Sequence, residues 1–215
     1  MRYSIVDTGG SRSFPGPHKL LETAVAEGDV VVVIGGQVGP ALAQTANREA
    51  RTAILVELGL ECLGVHMGES RGKEGSNVLG FARYRLGNAD PTNLIELVRQ
   101  PQTKPDSLAA AKALFEQAGF AVAVCGDFPG RIVDRLIRPY FNAALRRLDE
   151  GLASADDMDT TLRLGLGYPE GPISLLERTG LAQHFDVTQA LYEQLGDAAY
   201  VPARRARVAK LREMK

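Results

Sequence analysis

Asp29-Val30-Val31-Val32-Val33-Ile34 is an unbroken apolar run of mostly β-branched residues, and Gly35-Gly36-Gln37-Val38-Gly39 follows it directly. β-Branched side chains suit a pleated backbone, and a strand without polar alternation is one buried on both faces, as in a parallel sheet covered by helices. The glycines then turn the chain into a helix pattern at 40–46. Working outward, the same alternation recurs. Strands are predicted at Tyr3–Val6, Thr52–Glu57, Asn77–Tyr84, Leu94–Val98 and Ala121–Cys125, with a helix at Pro17–Ala26. Asp106 or Ser107 caps a helix with Leu108, Ala111, Leu114, Phe115 and Ala118 on one face, and Gly119 ends it. Residues 1–127 therefore read as α/β with a mostly parallel sheet.

After Asp127 the apolar period becomes helical. Pro129 opens a helix whose stripe Ile132, Leu136, Tyr140, Ala144 and Leu148 runs to Gly151. Ser154-Ala155-Asp156-Asp157 resembles a capping box, and the helix it starts breaks at Gly165-Leu166-Gly167-Tyr168-Pro169. Further helices are predicted from Pro172, over His184–Leu195 and over Ala203–Met214, where Arg204-Arg205-Ala206-Arg207 forms a solvated face. The fold class is thus an α/β domain over 1–127 followed by an all-helical domain over 128–215.

The 215 residues, 45% hydrophobic and 24% charged, describe a globular chain with a real core. A net charge of −1 gives no field to hold a polyanion, which argues against nucleic acid. No apolar run reaches the roughly 20 residues of a membrane span, and Met1–Ile5 lacks a secretory core, so the expected location is the cytoplasm. Cys62 and Cys125 have no CxxC spacing and read as small buried apolar residues. No GxSxG motif points to hydrolase chemistry. The Gly35–Gly39 turn has GGxxG spacing, so it is either a phosphate cradle at a helix start or an ordinary tight turn, with Glu57 only a loose match to a ribose-binding acid.

Three later segments carry a more specific pattern. Leu94-Ile95-Glu96-Leu97-Val98-Arg99-Gln100-Pro101-Gln102-Thr103, Asp127-Phe128-Pro129-Gly130-Arg131-Ile132-Val133-Asp134-Arg135-Leu136 and Gly165-Leu166-Gly167-Tyr168-Pro169-Glu170-Gly171-Pro172 occur in that order. They resemble the LVEVVxGPxT, DxPGFIVNRL and GLGYPMGP segments of the NAD-dependent 3-hydroxyacyl-CoA dehydrogenases, including the 3-hydroxybutyryl-CoA enzymes. The resemblance implies a reduced Rossmann-like domain, a helical domain that closes an acyl-CoA cleft and supplies a dimer contact, NAD as cofactor and an acyl-CoA thioester as ligand. It also implies an acid/base pair: a His in an HFFNP motif takes the hydroxyl proton as hydride leaves, and a Glu twelve residues later orients it.

Counted back from the Glu, the pair falls on Tyr84 and Glu96, and the Asn of PGFIVNRL falls on Asp134. Tyr84 is a weak base at neutral pH unless a cation lowers its pKa, and strand alternation sends its neighbours Arg83 and Arg85 to the opposite face. Without the resemblance Asp134 is an ordinary exposed helix residue. His66 lies in no metal-ligand spacing and, with Glu61 or Glu69, is the alternative acid/base pair; His18 and His184 read as surface or capping residues. Residues 1–28 offer little room for the family's dinucleotide fingerprint. The expected function is an oxidoreductase acting on 3-hydroxyacyl-CoA thioesters, whose independent NAD-dependent activity these departures weigh against. The alternative is a non-catalytic, dimerising or acyl-CoA-binding partner of a complete dehydrogenase.

Overall fold

The computed structural model describes residues 2–215 and divides into two units, one running to Arg85 and then from Pro91 to Arg131, the other made of Leu86–Asp90 and Ile132–Lys215. In the first, β1 (Tyr3–Asp7), β2 (Val30–Ile34), β3 (Ala53–Glu57), β4 (Val78–Arg83), β5 (Leu94–Arg99) and β6 (Ala121–Gly126) form one sheet in sequence order. Neighbours are parallel except β4 and β5, which are antiparallel. The reason is connection length: the chain between Arg83 and Leu94 is too short for a helical crossover of about a dozen residues or more.

Every residue of β2 and β3 is buried, as the apolar runs Val30–Ile34 and Ala53–Val56 require, and Glu57 is buried with them. Val30, Val32 and Ile34 pack on one side with Phe81 and Phe115, whereas Val31 and Val33 pack on the other with Leu42 and Leu63. Helix α1 (Lys19–Glu22) is a single turn, not the longer helix expected from Pro17, and His18 caps it by accepting from Leu20 N at 3.1 Å. Helix α2 (Val38–Gln44) follows the glycine turn, α3 (Gly64–Met67) is short, and α4 (Pro105–Gln117) joins β5 to β6. Neither Asp106 nor Ser107 is the N-cap of α4, since Pro105 already opens the helix; Ser107 Oγ donates to Thr52 O at 2.6 Å.

The second unit contains α5 (Val133–Asp149), α6 (Ala155–Leu166), α7 (Pro172–Thr179), α8 (Leu181–Leu195) and α9 (Arg204–Glu213). Pro129 precedes α5 without opening it, and the interior Pro139 cannot donate to Arg135 O. The Tyr200 hydroxyl donates to that carbonyl at 3.1 Å, so the helix passes through the proline with its acceptor satisfied. Ser154 caps α6 as its box predicts: Asp157 N donates to Ser154 Oγ at 3.1 Å, and that hydroxyl donates to Asp157 Oδ2 at 2.7 Å. The helix runs through Gly165 and ends on left-handed Gly167, φ +70°. Two other glycines are compulsory. A Cβ at Gly171 would lie 2.2 Å from Asp159 Cβ, and one at Gly87, φ +53°, would lie 2.0 Å from Thr179 O.

Candidate functional site

Glu96 is 3% exposed at the centre of β5. The β4–β5 register sets Ala82 directly opposite it, so a methyl group faces the carboxylate. Tyr84 lies one step beyond β4: its N–H donates to Leu94 O at 3.3 Å and its carbonyl accepts from Thr92 N at 2.8 Å. The ladder alternation puts Tyr84 on the same face as Glu96 but diagonal to it. Arg83 goes to the other face, as expected, and lays its guanidinium 5.1 Å from the Phe120 ring centroid.

The charge that meets Glu96 comes from Arg131, whose Nε is 3.7 Å from Glu96 Oε2. This arginine is 6% exposed, and its Nη2 donates to Gly59 O. Its backbone is left-handed, φ +49°, which is rare and strained for a residue with a side chain. Nε and Nη1 are buried without a hydrogen-bond partner, because 3.7 Å is an ion pair and not a hydrogen bond. Sequence reasoning missed Arg131. The available signal was its position in the Pro129-Gly130-Arg131-Ile132 block, where the resembling segment carries Phe.

Asp134 stands in the second unit and is not the exposed helix residue that its local sequence suggests. Its side chain is 13% exposed and accepts from Arg138 Nε at 2.8 Å, one turn on along α5. Arg138, 1% exposed, reaches His184 Nδ1 at 3.0 Å, and His184 Nε2 reaches Asn142 Oδ1 at 3.1 Å. Asn142 Nδ2 donates to Thr188 Oγ1 at 2.7 Å, which in turn donates to Tyr200 O. His184 is therefore a core residue, contrary to the surface or capping role expected. An arginine cannot accept, so Nδ1 is the acceptor and Nε2 carries the proton toward Asn142. Burial, and then the Arg138 charge, push the His184 pKa down to about 3.

A cleft of about 470 Å³ opens at the carboxyl ends of β2 and β3, lined among others by Gly35, Gly39, Gly59, Glu61 and His66. This is where ligands bind in open parallel sheets. Its floor is Glu57, 5% exposed, whose carboxylate accepts from Ser13 N at 2.6 Å and Gly35 N at 2.8 Å. Gly36 N donates to Gly9 O and Gln37 N to Thr8 Oγ1, so three amides of the turn are committed within the protein. A Cβ at Gly35 would meet Gly9 O at 2.5 Å, so this glycine serves loop packing. The turn does not fit a dinucleotide diphosphate, which needs free amides and which the Glu57 charge would repel.

Of the two pairs named for His66, the structure forms the one with Glu61: His66 Nε2 lies 3.6 Å from Glu61 Oε1. Glu69 instead lies beside Gly64. Cys62 and Cys125 are partly buried, and burial raises both thiol pKa values, that of Cys125 to about 11, so neither is a thiolate near neutrality. Among the described residues no group of three or more His, Cys, Asp or Glu could hold a metal ion, and no helix is long and apolar enough to cross a membrane.

Residues 130–214 match the family model "3-hydroxyacyl-CoA dehydrogenase, C-terminal domain", so the helical segment is similar to that domain. A 3-hydroxybutyryl-CoA dehydrogenase from Bradyrhizobium diazoefficiens is 36% identical over 109 residues, 51% of this chain and 37% of that protein. The mitochondrial hydroxyacyl-coenzyme A dehydrogenase of Sus scrofa is 41% identical over 102 residues, 47% of this chain and 32% of that protein. The chain thus spans well under half the length of these relatives. The solved (S)-3-hydroxybutyryl-CoA dehydrogenase of Ralstonia eutropha aligns with TM-score 0.67 and 25% identity, covering 84% of this chain and 64% of that one. The fold is that of a Rossmann-type dehydrogenase with a helical C-terminal domain, in agreement with the fold class read from the sequence.

Proposed function

We propose that this chain, whose helical segment is similar to a 3-hydroxyacyl-CoA dehydrogenase C-terminal domain, is an oxidoreductase-class protein acting on 3-hydroxyacyl-CoA thioesters. The observation that carries this reading is the match over residues 130–214 joined to a mostly parallel sheet. NAD is the hydride acceptor of that class by family resemblance; the Gly35–Gly39 turn is not its diphosphate cradle, and no residue is assigned to it. Within the first unit, Glu96 and Tyr84 share a sheet face. In this reading Tyr84 exchanges the hydroxyl proton, and Glu96, beside the Arg131 guanidinium, lies on the same sheet face. Asp134 anchors Arg138 and acts on the fold of the helical unit.

A second reading, a non-catalytic partner of a complete dehydrogenase or a homodimer through the helical unit, is favoured by a different observation. Leu136, Leu164 and Leu166 are 73%, 79% and 64% exposed, more apolar surface than a self-contained helical unit needs to show. Separate titrations with NADH and with acetoacetyl-CoA divide the two. The oxidoreductase reading expects saturable binding of both and NADH oxidation when they are combined. Thioester binding without NADH binding transfers the chain to the partner reading, and binding of neither overturns the assignment to thioesters.

A further inference from the structure

A second cleft, of about 600 Å³, lies wholly within the sheet unit and has no part in the chemistry above. Strands β5 and β6 run antiparallel to β4, with Val98 opposite Gly80, so both end beside the start of β4. The cleft opens there, whereas the 470 Å³ cleft lies at the carboxyl ends of β2 and β3. Its floor is Gln100, 1% exposed, whose Nε2 donates to Asp127 Oδ2 at 3.3 Å and to Gly68 O at 3.4 Å. Among the described residues no donor reaches Gln100 Oε1, which leaves a buried acceptor for a group that enters the cleft. Phe128, 60% exposed, forms a wall, with its ring against Gly126, where a Cβ would come within 3.3 Å of Cε2.

A fixed loop places the charges. Arg71 sits on a left-handed backbone, φ +56°, which is rare for a residue with a side chain. Glu74 holds that loop, its Oε2 accepting from Ser70 N at 2.8 Å and Gly72 N at 2.9 Å, and Gly75 presses it on Gln102, whose backbone a Cβ would meet at 2.3 Å. Asp127 is committed likewise, to Leu63 N at 2.6 Å and Gly64 N at 2.8 Å. Glu69, Arg71 and Arg99 are exposed, and among the described residues none of these three side chains makes a hydrogen bond or an ion pair.

We propose that this cleft binds a small guanidino carboxylic acid such as L-arginine. A guanidinium is planar and offers only donors, so it lies on the Phe128 ring and donates to Gln100 Oε1 and to the Glu69 carboxylate. The carboxylate of the ligand then pairs with Arg71 and Arg99 at the rim. A nucleotide also offers a planar ring, an amino donor and an anion, and total charge decides against it. Two guanidiniums and three carboxylates line the cleft, so a phosphate ester meets net repulsion while a ligand of net positive charge meets the opposite sign. This site goes beyond the thioester reading and does not depend on it.

The test is calorimetry of the full chain with L-arginine, agmatine, citrulline and adenosine monophosphate, beside a spectrum that follows the Gln100 side-chain amide. Agmatine keeps the guanidinium without a carboxylate, and citrulline keeps the carboxylate with a neutral urea. The expected result is saturable binding of L-arginine with Kd of about 1 mM or lower and a shifted Gln100 amide, with agmatine and citrulline about tenfold or more weaker. Phe128→Ala, at an exposed position, is expected to weaken L-arginine about fivefold, and Gln100→Leu about tenfold. Binding that leaves the Gln100 amide still, or that Phe128→Ala does not weaken, overturns the site. Agmatine or citrulline as tight as L-arginine overturns the ligand class, and so does adenosine monophosphate if it shifts the Gln100 amide at lower concentration. If L-arginine does not saturate, the proposal falls and the thioester reading stands, since the NADH and acetoacetyl-CoA titrations decide that separately.

Discussion

Each unit buries an arginine against a carboxylate, but in different ways. In the helical unit, Arg138 meets Asp134 at 2.8 Å, and every following group, through His184, Asn142 and Thr188, finds a partner at hydrogen-bond distance. In the sheet unit, Arg131 stays 3.7 Å from Glu96, sits on a left-handed backbone and buries two nitrogens without partners. A satisfied buried network fixes a fold; a strained, half-satisfied pair costs stability and persists where something else holds it. The contrast separates groups that support the architecture from the pair proposed to lie at the site.

The strongest way to break the comparison is Arg138→Met. It strands a buried carboxylate and leaves His184 Nδ1 without its donor, so urea denaturation should show a loss of about 3–5 kcal/mol. A loss below about 1 kcal/mol would mean that the satisfied chain does not support the fold. Asp159 offers a second satisfied carboxylate, accepting from Ile173 N and Ser174 N at 2.9 Å each. Gly171→Ala drives a Cβ into it and should cost about 1–3 kcal/mol, with thermal unfolding as the readout.

Protonation tests the same network. Burial and the Arg138 charge hold the folded His184 pKa at about 3, below the ordinary imidazole value of 6.5, so the unfolded chain binds the proton first as pH falls. The stability it contributes is complete above pH 6.5 and is lost toward pH 3, at about 1.4 kcal/mol per pH unit. In His184→Gln that component of the acid slope disappears; an unchanged slope in urea midpoints measured from pH 7 down to pH 4 would contradict the buried neutral imidazole. The smallest effect belongs to the strained pair. Arg131→Gly relieves the left-handed backbone while uncovering Glu96, and the two offset to a net loss of about 1 kcal/mol. A loss as large as that of Arg138→Met would erase the contrast.

The strands were legible because β2 is a continuous β-branched run and β3 an apolar one up to Glu57, patterns that suit strands buried on both faces. The cap at Ser154 was legible because it is chemistry within four residues. The helix from Pro17 was overread: apolar spacing predicted several turns, yet only Lys19–Glu22 is helical. Glu96 could be found by its segment but its neighbours could not. The carboxylate faces Ala82 because of an antiparallel register, and it meets Arg131 because the turn after β6 returns to β5, both facts of pairing across the sheet.

The sequence alone determined the βα alternation, the change to a helical period after Asp127, and the resemblance of the segments around Glu96, Arg131 and Gly171, because these are local patterns of burial and turn chemistry. Tertiary structure decided which charges meet. Arg131 lies far from Glu96 along the chain, Arg138 from His184, and Glu57 from Ser13, and each contact exists only once strands and helices have been brought side by side. Counting along the sequence cannot supply that, since the energy of a buried charge depends on what is packed against it and not on its neighbours in the chain.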